Sequence, residues 1–333
     1  MKTAIALILL LSLSCRPTGQ SHYSEGEVLG ARVKVAFVEA RTPHGIFAGE
    51  YGDIVMMDIQ SQKKYYVTDD TYFDSSPAIS PDGSKLIFTS IRSSDKRMLR
   101  ELGLAGPLRL YIFDSKTKSI SPFAHELQRM NLDRMTLVTG LAWDPNGQKI
   151  YFSASDNKIY AVNVTGDSIW TILELSADNR VNEIAPSPNG EFIAFAHQRG
   201  DLGPFGISIY AKKEHIVKQI DSCEDVLTLG GWNKESTALL FVDSTLVRLM
   251  WPSGRQERLH IKGELTEYLC STSSFLSDTS ILIVTLKPSK YSTPSQPRWD
   301  GGDLMIYDVT TKDQHWIYRA DDLEREGWNI WQK

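Results

Sequence analysis

Three stretches of this sequence repeat one turn together with its flanks, and that repetition restricts the fold more than any other feature. They are 77–88, 141–152 and 184–195, centred on Ser80-Pro81-Asp82-Gly83, Asp144-Pro145-Asn146-Gly147 and Ser187-Pro188-Asn189-Gly190. In each, proline stands two residues before glycine, Asp or Asn lies between them, and a phenylalanine follows the glycine by five. Proline presets φ for the first central turn position, and glycine accepts the positive φ that closes a hairpin with a bulge. The runs that follow, Leu86–Phe88, Ile150–Phe152 and Phe192–Phe195, are apolar at consecutive positions. A strand of that kind has both faces covered.

Weaker copies keep the spacing. Gly231–Ser236 precedes Leu239–Val242, Ser277–Thr279 precedes Ile281–Val284, and a half-copy places Gly30 before Val33–Val38. Each of the six units continues into a further strand: Asp53–Asp58, Leu110–Asp114, Ile159–Asn163, Ile207–Tyr210, Leu246–Met250 and Leu304–Asp308. Polar turns such as Ser115–Lys118 and Thr310–Asp313 then lead to outer strands such as His315–Tyr318. Four strands per unit, recurring at about 45 to 55 residues, predict an all-β chain, a six-bladed β-propeller of four-stranded antiparallel blades over residues 28–333. The first unit lacks an innermost strand, and Gly327-Trp328-Asn329-Ile330-Trp331 has no hairpin partner of its own. The expectation is that this C-terminal strand completes the first blade and closes the ring.

The Ser-Pro-Asp-Gly and Asp-Pro-Asn-Gly blades resemble the repeats of TolB-type propellers, found also in the non-catalytic propeller of prolyl-oligopeptidase-type peptidases. The resemblance implies the fold over nearly the whole chain. It implies little about activity, because the recurring residues are turn and core residues. It also departs from both families. TolB carries an α/β domain before its propeller, whereas here only residues 15–27 separate Cys15 from the first blade. No hydrolase domain is expected after the last blade, and the chain has no Gly-x-Ser-x-Gly elbow.

Residues 1–14 read as a secretory signal peptide: Lys2 supplies a positive charge and Ala4–Leu11 is an unbroken apolar run. That run is far shorter than the roughly 20 residues a membrane-spanning helix needs. Ser12-Leu13-Ser14-Cys15 resembles a bacterial lipobox, in which Cys15 becomes the lipidated N-terminus, although Ser12 stands where leucine is usual. An ordinary signal peptide cut nearby is the other reading. Residues 15–27, polar and containing Pro17, Gly19 and Gly26, then form a flexible tether. These features predict an exported lipoprotein of the bacterial cell envelope, anchored to a membrane and facing the periplasm or the cell surface. Of the three cysteines only Cys223 and Cys270 remain as thiols, and an oxidising compartment permits but does not require their pairing.

A formal net charge of −5 argues against a nucleic-acid partner. In a propeller blade the turns between strands one and two and between strands three and four share one face. The Pro-Asp-Gly turns close that face tightly. The other face carries long connections: 39–52, 91–107, 196–206 and 286–302. Their content is basic and aromatic. Arg92, Lys96, Arg97 and Arg100 stand with Met98, Leu99 and Leu102 at short-helix spacing, and Lys287, Lys290, Tyr291, Arg298 and Trp299 fill another connection. Arg41, His44, Phe47 and Tyr51, and His197, Arg199, Asp201 and Phe205, supply the rest. Arginine among aromatics is enriched at interfaces, and long loops are where binding residues concentrate. The sequence therefore predicts a non-catalytic scaffold that binds an envelope protein or an anionic glycan through Arg97, Arg100, Arg199, Arg298 and Trp299. It predicts no catalytic residue, metal or cofactor. The rival reading is a polysaccharide lyase or lactone hydrolase on the same face, with His44, His125 and His197 around a metal. The histidines lack paired ligand spacing, and the loop carboxylates Glu39, Glu50, Asp95 and Asp201 stand singly.

Overall fold

Apolar runs alternate with tight turns along the chain, and each turn folds the next run back beside the last. The computed structural model describes residues 12–14, 34–40, 52–58, 61, 63–70, 72, 74–92, 109–124, 138–154, 157–200, 205–220, 228–243, 245–259, 261, 269–288 and 299–318. Among them all regular structure is β, so no described helix is long and apolar enough to cross a membrane.

The first of two units, Met1–Asp225, holds four antiparallel sheets. Their strands are β1 (Ser12–Ser14), β2 (Lys34–Ala40), β3 (Gly52–Asp58) and β4 (Lys63–Tyr66); β5 (Asp74–Ile79), β6 (Lys85–Ser90), β7 (Arg109–Asp114) and β8 (Ser119–Pro122); β9 (Val138–Trp143), β10 (Lys149–Ala154), β11 (Lys158–Asn163) and β12 (Ile169–Glu174); β13 (Asn179–Pro186), β14 (Phe192–Arg199), β15 (Phe205–Ala211) and β16 (Ile216–Ile220). The second unit, Val226–Lys333, holds β17 (Thr228–Trp232), β18 (Ala238–Val242), β19 (Leu246–Met250) and β20 (Arg255–Leu259), then β21 (Leu269–Phe275), β22 (Ser280–Pro288), β23 (Trp299–Asp308) and β24 (Gln314–Tyr318). In every sheet the strands neighbour one another in chain order. This is the six-bladed propeller that the repeat predicts.

The repeated turn behaves as its residues require. Ser80 N–H donates to the Lys85 carbonyl (2.9 Å), Gly83 N–H returns to the Ser80 carbonyl (2.8 Å), and Gly83 sits at φ 68°. The same pair of bonds recurs at Asp144 and Gly147 and at Ser187 and Gly190, with φ 68° and 76° at the glycines. The Asp82 carboxylate accepts from the hydroxyls of Ser80 (2.6 Å) and Ser84 (2.7 Å) and from Ser84 N–H (3.0 Å). Those donors, Ser80 first, hold its carboxyl down at about 2. The fourth copy has neither proline nor glycine in its turn, yet Asn233 and Ser236 make the same two backbone bonds, with Ser236 at φ 60° in the glycine's place.

Two findings differ from the sequence-based expectations and a third adds to them. The strand beside β2 in the first blade is β1, antiparallel with Ser12 opposite Ala36 and Ser14 opposite Lys34. It lies within the expected signal peptide, and the segment Gly327–Trp331 that was expected in that place lies outside the described residues. Second, the connections of the fourth and sixth blades are shorter than expected. The β14–β15 ladder continues through His197–Gly206 to Gln198–Phe205, so only 200–204 connects them. The β22–β23 ladder runs on to Pro288–Trp299, leaving 289–298. Third, the pairing of first and second strands shifts register in all five blades from β5 onward, between Ser75 and Ala78 in the first of these. Such bulges raise local twist and let Pro77 sit inside β5. The expected helix around 98–102 and Cys223 lie outside the described residues.

The core lies between successive sheets. Ala36, Ile54, Met56 and Val67 pack on Ile79, Leu86, Phe88, Tyr111 and Phe113. Ile87 and Leu110 in turn meet Leu141, Trp143, Ile150 and Phe152, and Trp143 Nε1–H donates to the Ala78 carbonyl (2.9 Å). Tyr151 and Ile159 pack with Ile184, Ile193 and Phe195. In the second unit Leu240 and Leu246 meet Ile281, Ile283 and Met305. Each middle strand therefore buries both faces, which is why its sequence is apolar at consecutive positions.

Candidate functional site

At the end of each sheet where the second strand passes to the third, the turns are replaced by connections of unequal length: 41–51, 91–108, 155–157, 200–204, 243–245 and 289–298. The best-defined polar cluster in the first unit stands at this end, where the first and second blades meet. Its centre is Arg92, two residues beyond β6. The Arg92 Nη2 donates to Asp74 Oδ2 (2.7 Å) and lies 3.2 Å from Asp70 Oδ2. Its Nε–H and backbone N–H both donate to Ser90 Oγ (2.9 and 3.2 Å). The guanidinium carbon is 5.2 Å from the Tyr111 ring centroid, 5.4 Å from Phe88 and 5.6 Å from Tyr72. Ring faces and carboxylates together hold it in one orientation.

The carboxylates come from three places. Asp53 is the second residue of β3, Asp70 follows β4, and Asp74 opens β5. Thr68 Oγ1 accepts from Ile54 N–H (2.8 Å) and donates to Asp53 Oδ1 (3.3 Å), which also accepts from Asp70 N–H (3.3 Å). Tyr72 N–H donates to Asp70 Oδ1 (2.9 Å). Asp53 and Thr68 are buried, Asp70 is partly exposed, and the Asp74 side chain is fully buried. Burial pushes the Asp74 carboxyl above the usual range, against the lowering pull of Ser90 and Arg92. No spacing rule would have found this group, because its acidic members are brought together by sheet pairing.

Of the residues named from sequence, Arg199 is exposed at the last position of β14, opposite Asn179. Trp299 opens β23 opposite Pro288. Arg97, Arg100, Arg298 and Cys15 lie outside the described residues, as do His44 and His125. His197, near the same end of β14, has Nε2 3.0 Å from Ser208 Oγ and its ring against Phe195, with centroids 5.6 Å apart. Its Nδ1 is buried without a hydrogen-bond partner, and burial lowers its pKa, which favours the neutral ring.

At the opposite, short-turn end, Tyr151 O–H donates to Asp144 Oδ1 (3.1 Å) and Lys212 Nζ donates to the Tyr151 oxygen (3.1 Å). Through Tyr151 this chain of bonds ties the third blade to the fourth.

Compared with protein-family models and with curated proteins, the chain matches none. Among solved structures it is similar to a putative TolB from Agrobacterium tumefaciens, at 14% identity and a TM-score of 0.57, over 80% of this chain and 88% of that one. At that identity the likeness is one of fold: the chain has the architecture of a TolB-type β-propeller.

Proposed function

We propose that this protein is an exported, lipid-anchored propeller that acts as a non-catalytic binding scaffold in the bacterial cell envelope. Its ligand is an envelope protein or an anionic glycan, held where second strands pass to third strands. The observation that carries this reading is the asymmetry of the blades. In the second to fifth blades the 1–2 turns are closed by one repeated hydrogen-bond pattern, while three of the 2–3 connections span 41–51, 91–108 and 289–298. Arg97 and Arg100 belong to the second of these and Arg298 to the third, with Trp299 just beyond it; Arg199 stands exposed at the end of β14. Guanidinium groups suit carboxylates and sulfates through paired N–H donors. Loops held by rigid sheets lose less entropy on binding than free ones. Cys15 is the anchor and residues 15–27 the tether.

The test replaces Arg97, Arg100, Arg199, Arg298 and Trp299 together by alanine in the full chain, then compares in-cell crosslinked products and retention on immobilised polygalacturonate. Loss of a specific crosslinked product, or of salt-sensitive retention, is the expected result. Unchanged crosslinking and retention in the fivefold variant would move the search to the short-turn face.

A further inference from the structure

We infer that Asp53, Asp70 and Asp74 form a binding site for a hard divalent cation of the calcium class, at the joint between the first two blades. Each offers one carboxylate oxygen, and these oxygens lie within 4.8 Å of one another. A second observation points to a ligand. The Asp74 side chain is fully enclosed, and while Oδ2 is engaged by Arg92, Oδ1 has no hydrogen-bond partner. A buried carboxylate oxygen left without a donor is costly and calls for an explanation. A cation coordinated by that oxygen supplies one.

Charge leads to the same conclusion. Arg92, which cannot give up its proton, is shared between Asp70 and Asp74, so two carboxylates draw on one positive charge. A divalent ion among the three carboxylates adds to it. The donors are all oxygen, with no imidazole or thiolate among them, which selects calcium or magnesium over zinc or copper. Carboxylates from three separate segments, with Thr68 Oγ1 bonded to one of them, suit the variable oxygen shell of calcium better than the strict octahedron of magnesium. A proton on Asp74 is the competing way to meet the demand of that buried oxygen. The inference does not rest on the binding role proposed above.

The experiment uses the full chain, stripped with chelator and then freed of it. Calcium is titrated against thermal unfolding with magnesium in parallel, and terbium is used as a luminescent calcium substitute excited through nearby tyrosines such as Tyr72 and Tyr111. We expect calcium to raise Tm, magnesium at equal concentration to raise it less, and terbium emission to saturate at one equivalent and fall when calcium is added. Asp74→Asn should weaken terbium and calcium binding at least tenfold with an unchanged near-ultraviolet circular dichroism spectrum. Asp70→Asn, at a partly exposed position, should do the same and serves if the buried variant fails to fold. A wild-type chain with no calcium-dependent Tm and no saturable emission would overturn the site and leave protonation of Asp74 as the explanation. Wild-type affinity in the folded variants would overturn it equally.

Discussion

At the scale of the residue, the same side chain, aspartate, is put to opposite electrostatic uses in this protein. At Asp82, exposed in its turn, and Asp114, at the end of β7, hydroxyl, backbone N–H or ammonium donors surround the carboxylate and hold each carboxyl at about 2. The first donors are Ser80 for Asp82 and Thr117 N–H for Asp114. Asp74 is buried, and desolvation outweighs its donors and raises it. The signs of the pH dependence follow. A carboxyl lowered in the folded state contributes stability above its ordinary value near 4, and that contribution is lost as pH falls towards 2. A raised carboxyl favours the fold in acid, and its contribution is lost as pH rises through the folded value. The double variant Asp82→Asn with Asp114→Asn should therefore show a flatter loss of stability between pH 4 and pH 2 than the wild type. Urea midpoints measured at each pH in the presence of chelator check this; parallel acid limbs would show that these two carboxylates are not what acid titrates.

At the scale of the element, the blades succeed because turn chemistry and burial pattern agree. Some glycines serve neither a turn nor a positive φ but a close approach. A Cβ added at Gly230 in β17 would lie 2.7 Å from Leu240 Cβ, 2.7 Å from Ser273 Oγ and 2.9 Å from the Leu240 carbonyl. Two of those obstacles are backbone or Cβ atoms that cannot rotate away. Gly230→Ala should cost about 1–3 kcal/mol, the usual range for an overfilled core, read as a lower urea midpoint at unchanged slope. Hairpins of this kind were legible in the sequence because Pro-Asp-Gly and the apolar run after it are local signals. The fifth blade shows the limit: Asn233–Ser236 makes the same turn with a serine at φ 60°, and spacing alone revealed it. The length of β14 and β15 was not legible, since His197 and Arg199 look like loop residues until their ladder partners Gly206 and Asn179 are known. The Arg92 cluster was least legible of all. Its carboxylates at 53, 70 and 74 meet only through the pairing of separate strands, and no single loop contains them.

At the scale of the whole molecule, the fate of the first blade depends on how the chain is processed. Its innermost strand in the structure is β1, which pairs with β2 through Ser12, Leu13 and Ser14. Cleavage before Cys15, as the leader predicts, removes all three residues and strips β2 of that partner. An open edge of backbone N–H and C=O groups is a hazard that folded proteins cover, and the sequence nominates Gly327–Trp331 as the cover. Four chains separate the possibilities: the full sequence and a chain beginning at Cys15, each with and without residues 327–333. If the tail takes over the edge only once the leader is gone, its deletion should lower Tm by several degrees in the Cys15 chain, a loss of order 1–2 kcal/mol for a chain this long, and change the full sequence little. Equal sensitivity in both backgrounds would mean that the tail stabilises the propeller somewhere other than the β2 edge. Insensitivity in both would mean that the first blade holds with three strands once its leader has gone.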